Sequence, residues 1–176
     1  MSYLRKLFQT GAIRKTPPSV IAAILAEVRP LRPVRIVEFG AGQGEITYPL
    51  LRQVAGNCAA FQAFELDREL GAALEHEAKD VQVLYEDAFH FSSFLPDGAQ
   101  VDHFICALPL SFHPRKKTLG LLQAMRARLA PGGSVVLIFN AFWLLPTLRK
   151  GLPGGRLRVF PTFPVYGMFV YRRVDA

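Results

Sequence analysis

The run Val34-Arg35-Ile36-Val37-Glu38-Phe39 is apolar and β-branched, and it stops at Gly40-Ala41-Gly42-Gln43-Gly44. A helical pattern follows at once, with Ile46, Leu50, Leu51 and Val54 on one face. A strand that enters a glycine turn and leaves as a helix constrains this chain more than any other feature. Glycine tolerates positive φ and lets a ligand approach the bare backbone. Strand, turn and helix in that order open an α/β sheet, whose ligands lie beyond the carboxyl ends of the strands. A purely structural turn is the competing reading of the loop.

The alternation continues along the chain. The pattern predicts further strands at 59–66, 81–85, 101–108 and 134–139, and helices at about 17–29, 44–55, 68–78 and 115–129. Leu119, Leu122, Met125 and Leu129 mark the buried stripe expected of the last helix, and Pro131-Gly132-Gly133 the turn after it. The tail differs, because 156–160 and 165–173 read as a hairpin around Pro161 and Pro164 rather than as another crossover. The fold class is therefore α/β, a doubly wound and mainly parallel sheet ending in an antiparallel hairpin. Length fits one domain, 1–176, with 1–33 as an N-terminal helical segment that could close over substrate or touch a membrane.

Composition narrows the function classes. Two cysteines, Cys58 and Cys106, make no disulfide framework, and without HxxxH or CxxC no metal site is expected. Both thiols lie in apolar runs, which reads as buried and reduced in the cytoplasm. The first fifteen residues lack the long apolar stretch of a secretory signal, and the apolar run from Val135 to Leu145 falls short of the roughly 20 residues a spanning helix needs. Charge is unevenly spread: 1–35 carry seven basic and one acidic side chain, 36–111 three and twelve, and 112–176 eleven and one. An acidic middle between basic ends suits one cationic or hydroxyl-rich ligand and one anionic partner.

The acidic residues fall at strand ends. A dinucleotide site would show G-x-G-x-x-G facing a pyrophosphate. Here the spacing is G-x-G-x-G, flanked by Glu38 and Glu45, which disfavours an anion and favours a cation. Glu65 closes the second strand about twenty residues beyond the loop, where a carboxylate can accept both hydroxyls of a ribose. The third strand ends in Tyr85-Glu86-Asp87-Ala88-Phe89, where a carboxylate could take an adenine amino group between aromatic neighbours. Each acid alone also reads as a helix cap or a solvated loop residue.

Taken in order, these residues resemble the class I S-adenosylmethionine-dependent methyltransferases. The resemblance implies a seven-stranded sheet with a terminal antiparallel hairpin and S-adenosylmethionine as cofactor. It places the cofactor on Glu38, Gly40, Gly42, Gly44, Glu65 and Asp87, with Ala41, Leu66, Ala88, Ala107 and Leu108 completing the pocket. A cationic sulfonium accounts for the acidic middle of the chain.

The acceptor is read from the fourth strand's loop, Ile105-Cys106-Ala107-Leu108-Pro109-Leu110-Ser111-Phe112-His113-Pro114. The rRNA adenine dimethylases, which the glycine loop and Phe64-Glu65-Leu66-Asp67 resemble, carry Asn or Asp there, then proline and an aromatic that stacks a flipped base. Ala107 and Leu110 occupy those places, which disfavours nucleic acid. The Leu-Pro-Leu loop, the basic helix from Pro114 and the tail Phe163-Pro-Val-Tyr-Gly-Met-Phe-Val-Tyr-Arg-Arg resemble the bacterial phospholipid N-methyltransferases. That resemblance implies the amine of phosphatidylethanolamine as acceptor at an anionic membrane surface, on the inner face of the cell membrane. Leu4, Leu7 and Phe8 beside Arg5 and Lys6 form a short basic amphipathic segment consistent with it. Apolar Ala141 to Leu145 could line a lipid groove, and Arg149, Lys150, Arg156 and Arg158 could hold the lipid phosphate.

An alkylammonium, with a pKa near ~10, must lose a proton before attack. His113 is the candidate base, and Tyr3 and Tyr166 could enclose the methyl path by cation–π contact. Alternatives are an RNA or small-molecule methyltransferase of the same fold, or a module that docks on RNA or membrane without turnover. The oligomeric state is left open.

Overall fold

A computed structural model describes residues 15–174. Seven strands form one sheet: β1 Val34–Phe39, β2 Cys58–Phe64, β3 Gln82–Leu84, β4 Val101–Cys106, β5 Leu129–Phe139, β6 Arg156–Phe160 and β7 Tyr166–Arg172. Their spatial order is β3-β2-β1-β4-β5-β7-β6. β1 to β5 pair in parallel, and β7 runs antiparallel to both β5 and β6. Strand order reverses between β1 and β4, so a crevice opens beyond their carboxyl ends.

Alternation along the strands divides the core into two layers. Ile36, Ile105 and Val136 face one side, where they meet Val20 and Ile24 of α1 (Pro18–Glu27), Leu50 of α2 (Thr47–Gln53) and Leu74 of α3 (Arg68–Glu77). Val37, Phe104 and Val135 face the other, against Leu122 and Met125 of α4 (Arg115–Arg128) and Leu148 of α5 (Leu145–Gly151). Phe39 sits among Phe64, Phe91 and Phe104 at ring separations of 5.2–5.8 Å, a buried aromatic cluster that supports the end of β1.

Several expected elements shift. The helix expected from residue 44 begins at Thr47, because Gly44 still turns. The buried stripe of α4 is Thr118, Leu121, Leu122 and Met125, with Leu119 at its flank. β5 starts at Leu129 and carries Pro131-Gly132-Gly133 inside it. The Gly132 N–H donates to Arg173 and the Arg173 N–H to Gly133, so β7 stitches the proline-glycine stretch into the sheet after a bulge opposite Val101–His103. Pro146 masks α5 in the sequence pattern, yet it is tolerated in the first turn of that helix. Cys106 is buried, its thiol pushed up to about 12 by desolvation, whereas Cys58 is only half-buried. Among the described residues no helix is long and apolar enough to cross a membrane.

Candidate functional site

A cleft of about 1030 Å³ lies beyond the carboxyl ends of β1 to β5. The glycine loop forms its floor. Gly40, Gly42 and Gly44 all have positive φ, at 78°, 55° and 87°. A Cβ on Gly42 would meet nothing within 4 Å, so this stretch of main chain is bare toward the cleft. Gly44 serves packing instead. A Cβ there would stand 2.5 Å from the Tyr48 ring and 2.9 Å from Leu74, so this glycine lets the loop lie against α3.

Carboxylates line one side. Glu65, 8% exposed, accepts from the Gly42 N–H at 2.8 Å and the Asp67 N–H at 2.9 Å, which ties the loop to the end of β2. Burial raises its pKa, and the backbone N–H bonds pull it partly back. Asp87 follows β3 and accepts from the Phe89 N–H at 3.0 Å and from Lys117 Nζ at 3.2 Å. Burial alone would raise its pKa, but these bonds and the Lys117 charge outweigh it and hold the carboxyl below the ordinary range. Asp87 thus caps the turn at Ala88–Phe94 and keeps a charge at the cleft edge. Ala41, Leu66, Ala88, Ala107 and Leu108, which the resemblance assigns to the cofactor pocket, all lie on the cleft wall.

Glu38 and Gly44, expected to touch the cofactor, lie off the cleft wall. Glu38 is fully buried beneath the loop; its Oε2 accepts from the Thr47 hydroxyl at 2.7 Å and its Oε1 has no partner among the described residues. Burial pushes its pKa up to about 8, against the Thr47 bond and with a smaller push from Glu65. Glu38 therefore holds the loop to the first turn of α2 from below.

The opposite wall is apolar. Leu108, Pro109 and Leu110 follow β4, while Phe139, Ala141 and Leu144 come from the end of β5 and the turn beyond it. Trp143, 76% exposed, and Phe112, 57% exposed, stand at the rim. His113 reaches the cleft, but its ring packs 4.7 Å from Phe89; burial and the nearby Lys117 charge lower its pKa and favour neutral imidazole. Tyr166 lines the cleft and is 8% exposed, its pKa raised by burial and by Glu45. Tyr3 and the amphipathic segment around Leu4–Phe8 lie outside the described residues. Lys15 and Thr16 do line the cleft, and the Thr16 N–H donates to Glu45 at 2.9 Å. Arg149, Lys150, Arg156 and Arg158 are exposed and off the cleft wall.

Arg68 and Asn140 are among the wall residues that have no role assigned from sequence. Asn140 carries a usable signal: it is a polar residue at the carboxyl end of an apolar strand, the feature that selects Glu65.

Solved structures share this architecture. The chain superposes on TrmN from Thermus thermophilus with a TM-score of 0.73 and 24% identity, covering 97% of this chain and 53% of that one. The fold is the Rossmann-like methyltransferase fold. It also matches the N-methyltransferase NodS from Bradyrhizobium japonicum (TM-score 0.69, 15% identity, 89% and 96% of the two chains). A third match is a T. thermophilus 16S rRNA N2 methyltransferase, RsmC, in complex with AdoMet and guanosine (TM-score 0.67, 23% identity, 90% and 44%). In sequence, the chain is 38% identical over 82 residues to ribosomal RNA small subunit methyltransferase A of Burkholderia thailandensis, covering 45% of this chain and 30% of that protein. The matched stretch therefore spans under a third of that curated relative. No family model matches the chain.

Proposed function

We propose that the chain is an S-adenosylmethionine-dependent methyltransferase whose acceptor is RNA. The observation that carries the cofactor is the pairing of bare main chain at Gly42 with the buried Glu65 carboxylate that grips it, at the end of β2. On this reading Glu65 accepts ribose hydroxyls through its remaining lone pairs, and Asp87 and Phe89, on the same cleft, border the adenine. The cofactor supplies a methyl group made electrophilic by the sulfonium. Around it, Leu108, Leu110 and Phe139 exclude water, while the cluster of acids favours a cationic ligand.

RNA is favoured as acceptor by the named relatives, one a ribosomal RNA methyltransferase in sequence and one in structure. The exposed bases Arg115, Lys116, Arg149, Lys150, Arg156 and Arg158 offer counter-charges for phosphate. This reverses the expectation from sequence, which sets nucleic acid aside because Ala107 and Leu110 replace the expected polar and aromatic pair. Phosphatidylethanolamine is the second reading. Its support is the apolar wall together with exposed Leu66, Phe112 and Trp143 at the rim, which would suit an acyl chain or a membrane interface. On either reading the protein works in the cytoplasm, and on the second it works at the inner membrane face.

The deciding experiment supplies labelled cofactor with ribosomal RNA, phosphatidylethanolamine vesicles and small amines side by side. Label in RNA is the expected result. Label in lipid alone overturns the RNA assignment, and cofactor binding with no transfer to any acceptor overturns the enzyme assignment in favour of a docking module. Deleting residues 1–9 belongs to the same panel: lost vesicle association on truncation would speak for the lipid reading.

A further inference from the structure

The acceptor wall has one amide in a telling place. Asn140 directly follows β5, lines the cleft and is exposed. Its Nδ2 donates to the Val165 carbonyl at 2.8 Å. A carbonyl can only accept, so this bond fixes which end of the carboxamide is which. Oδ1 is turned away from Val165 and takes no hydrogen bond among the described residues. Three residues on, Trp143 lies in the short turn Phe142–Leu144, lines the same cleft and leaves 76% of its surface uncovered. An indole with that much bare surface on a cleft wall offers a face on which a ring can stack.

Resting on the RNA reading above, we infer that Asn140 and Trp143 are the acceptor-recognition pair, specific for the exocyclic amino group of a nucleobase. Trp143 stacks on the ring, and Asn140 Oδ1 accepts one amino hydrogen. In the loop after β4, Ala107 and Leu110 stand where the polar and aromatic pair is expected, and its aromatic, Phe112, comes only two residues later at the rim, with no amide beside it. The next strand end supplies both, because β5 pairs with β4 in parallel and opens on the same rim. In the transfer, the amino lone pair forms the N–C bond as the C–S bond breaks and its electron pair returns to sulfur. The nitrogen gains positive charge in that step, so the bond to Asn140 Oδ1 strengthens as the reaction proceeds. The surplus proton then leaves to solvent, giving the methylamino base and the neutral thioether.

Trp143 is the chain's single tryptophan, so its emission reports stacking directly. With the protein saturated by S-adenosylhomocysteine, titration with single-stranded oligoribonucleotides should quench that emission. Absence of quenching overturns the stacking role. In transfer assays on ribosomal RNA, Trp143→Ala should raise KM about tenfold or more, while Trp143→Phe stays within a few-fold of wild type. Asn140→Ala should lower kcat by about 10- to 100-fold with cofactor affinity by calorimetry unchanged. Nucleoside mass spectrometry should find the methyl group on an exocyclic nitrogen. RNA labelled equally well by both alanine variants, or methylated on ribose or a ring carbon, overturns the pair and leaves the RNA reading standing. Wild-type protein that labels no RNA removes both. Trp143 contributes little to the core, so its variant remains informative should Asn140→Ala fail to fold.

Discussion

The two walls of the cleft solve opposite problems. The donor wall is polar and already hydrogen-bonded: Glu65 holds Gly42 and Asp67, and Asp87 holds Phe89 and Lys117. Most of its shape is set by groups at strand ends and the turns that follow them, so it is built before any ligand arrives. The opposite wall is apolar, with Leu110 and Leu144 buried and Phe112 and Trp143 exposed at the rim. A sulfonium cofactor rewards preorganised charge, whereas an acceptor ring or chain rewards bare hydrophobic surface. One wall can therefore belong to a widely shared fold while, on the proposed reading, the other selects the acceptor.

That contrast can be broken at four places. Glu65→Ala should weaken S-adenosylmethionine binding about 10- to 100-fold, since a hydrogen bond to a charged group contributes roughly 1.5–3 kcal/mol. Calorimetry showing unchanged affinity would remove Glu65 from the donor wall. Gly44→Ala should destabilise the fold by about 1–3 kcal/mol, because an L-residue at φ 87° is strained and its Cβ meets Tyr48. Thermal melts should record a fall of about 2–4 °C per kcal/mol, and an unshifted midpoint would mean that the loop can move.

Glu38 sharpens the picture through pH. Its folded pKa of about 8 lies above the ordinary 4.5, so the folded state holds the proton more tightly than the unfolded chain. Its contribution to stability is full below the ordinary value and falls as pH rises toward about 8. Glu38→Gln keeps an acceptor for Thr47 and should flatten that slope, measured by denaturant unfolding across the window. An unaltered slope would show that Glu38 is ionised in the fold. The smallest effect belongs to Lys117→Ala. Its ion pair with Asp87 is partly exposed and contributes about 0–1 kcal/mol, so cofactor affinity should change by less than about fivefold. A larger loss would place Lys117 within the donor wall itself.

Legibility in the sequence follows the same divide. β1, the glycine loop, Glu65 and Asp87 are legible because a strand's end, a turn and a carboxylate are neighbours in sequence as well as in space. Glu38 reads as a cofactor contact, yet its side chain lies beneath the loop and off the cleft wall, since adjacency to the loop says nothing about which side of the main chain a side chain takes. Burial beneath the loop decides that. The interior start of β5 and the helix at Leu145–Gly151 escape the pattern because proline and glycine signal breaks locally, while pairing with β7 and a first-turn position override the signal. The inferred pairing of Asn140 with Trp143 is not legible in the sequence because Val165, 25 residues away, orients the amide.

By itself the amino-acid order determined an alternating α/β chain, its strand-end carboxylates and its glycine turn, all of which rest on interactions a few residues long. Tertiary structure alone decided which acids are sealed and which face the cleft, and which side chains on separate strand ends share one wall. Those outcomes depend on packing between distant segments, where burial and orientation are properties of the assembled sheet rather than of any stretch of sequence.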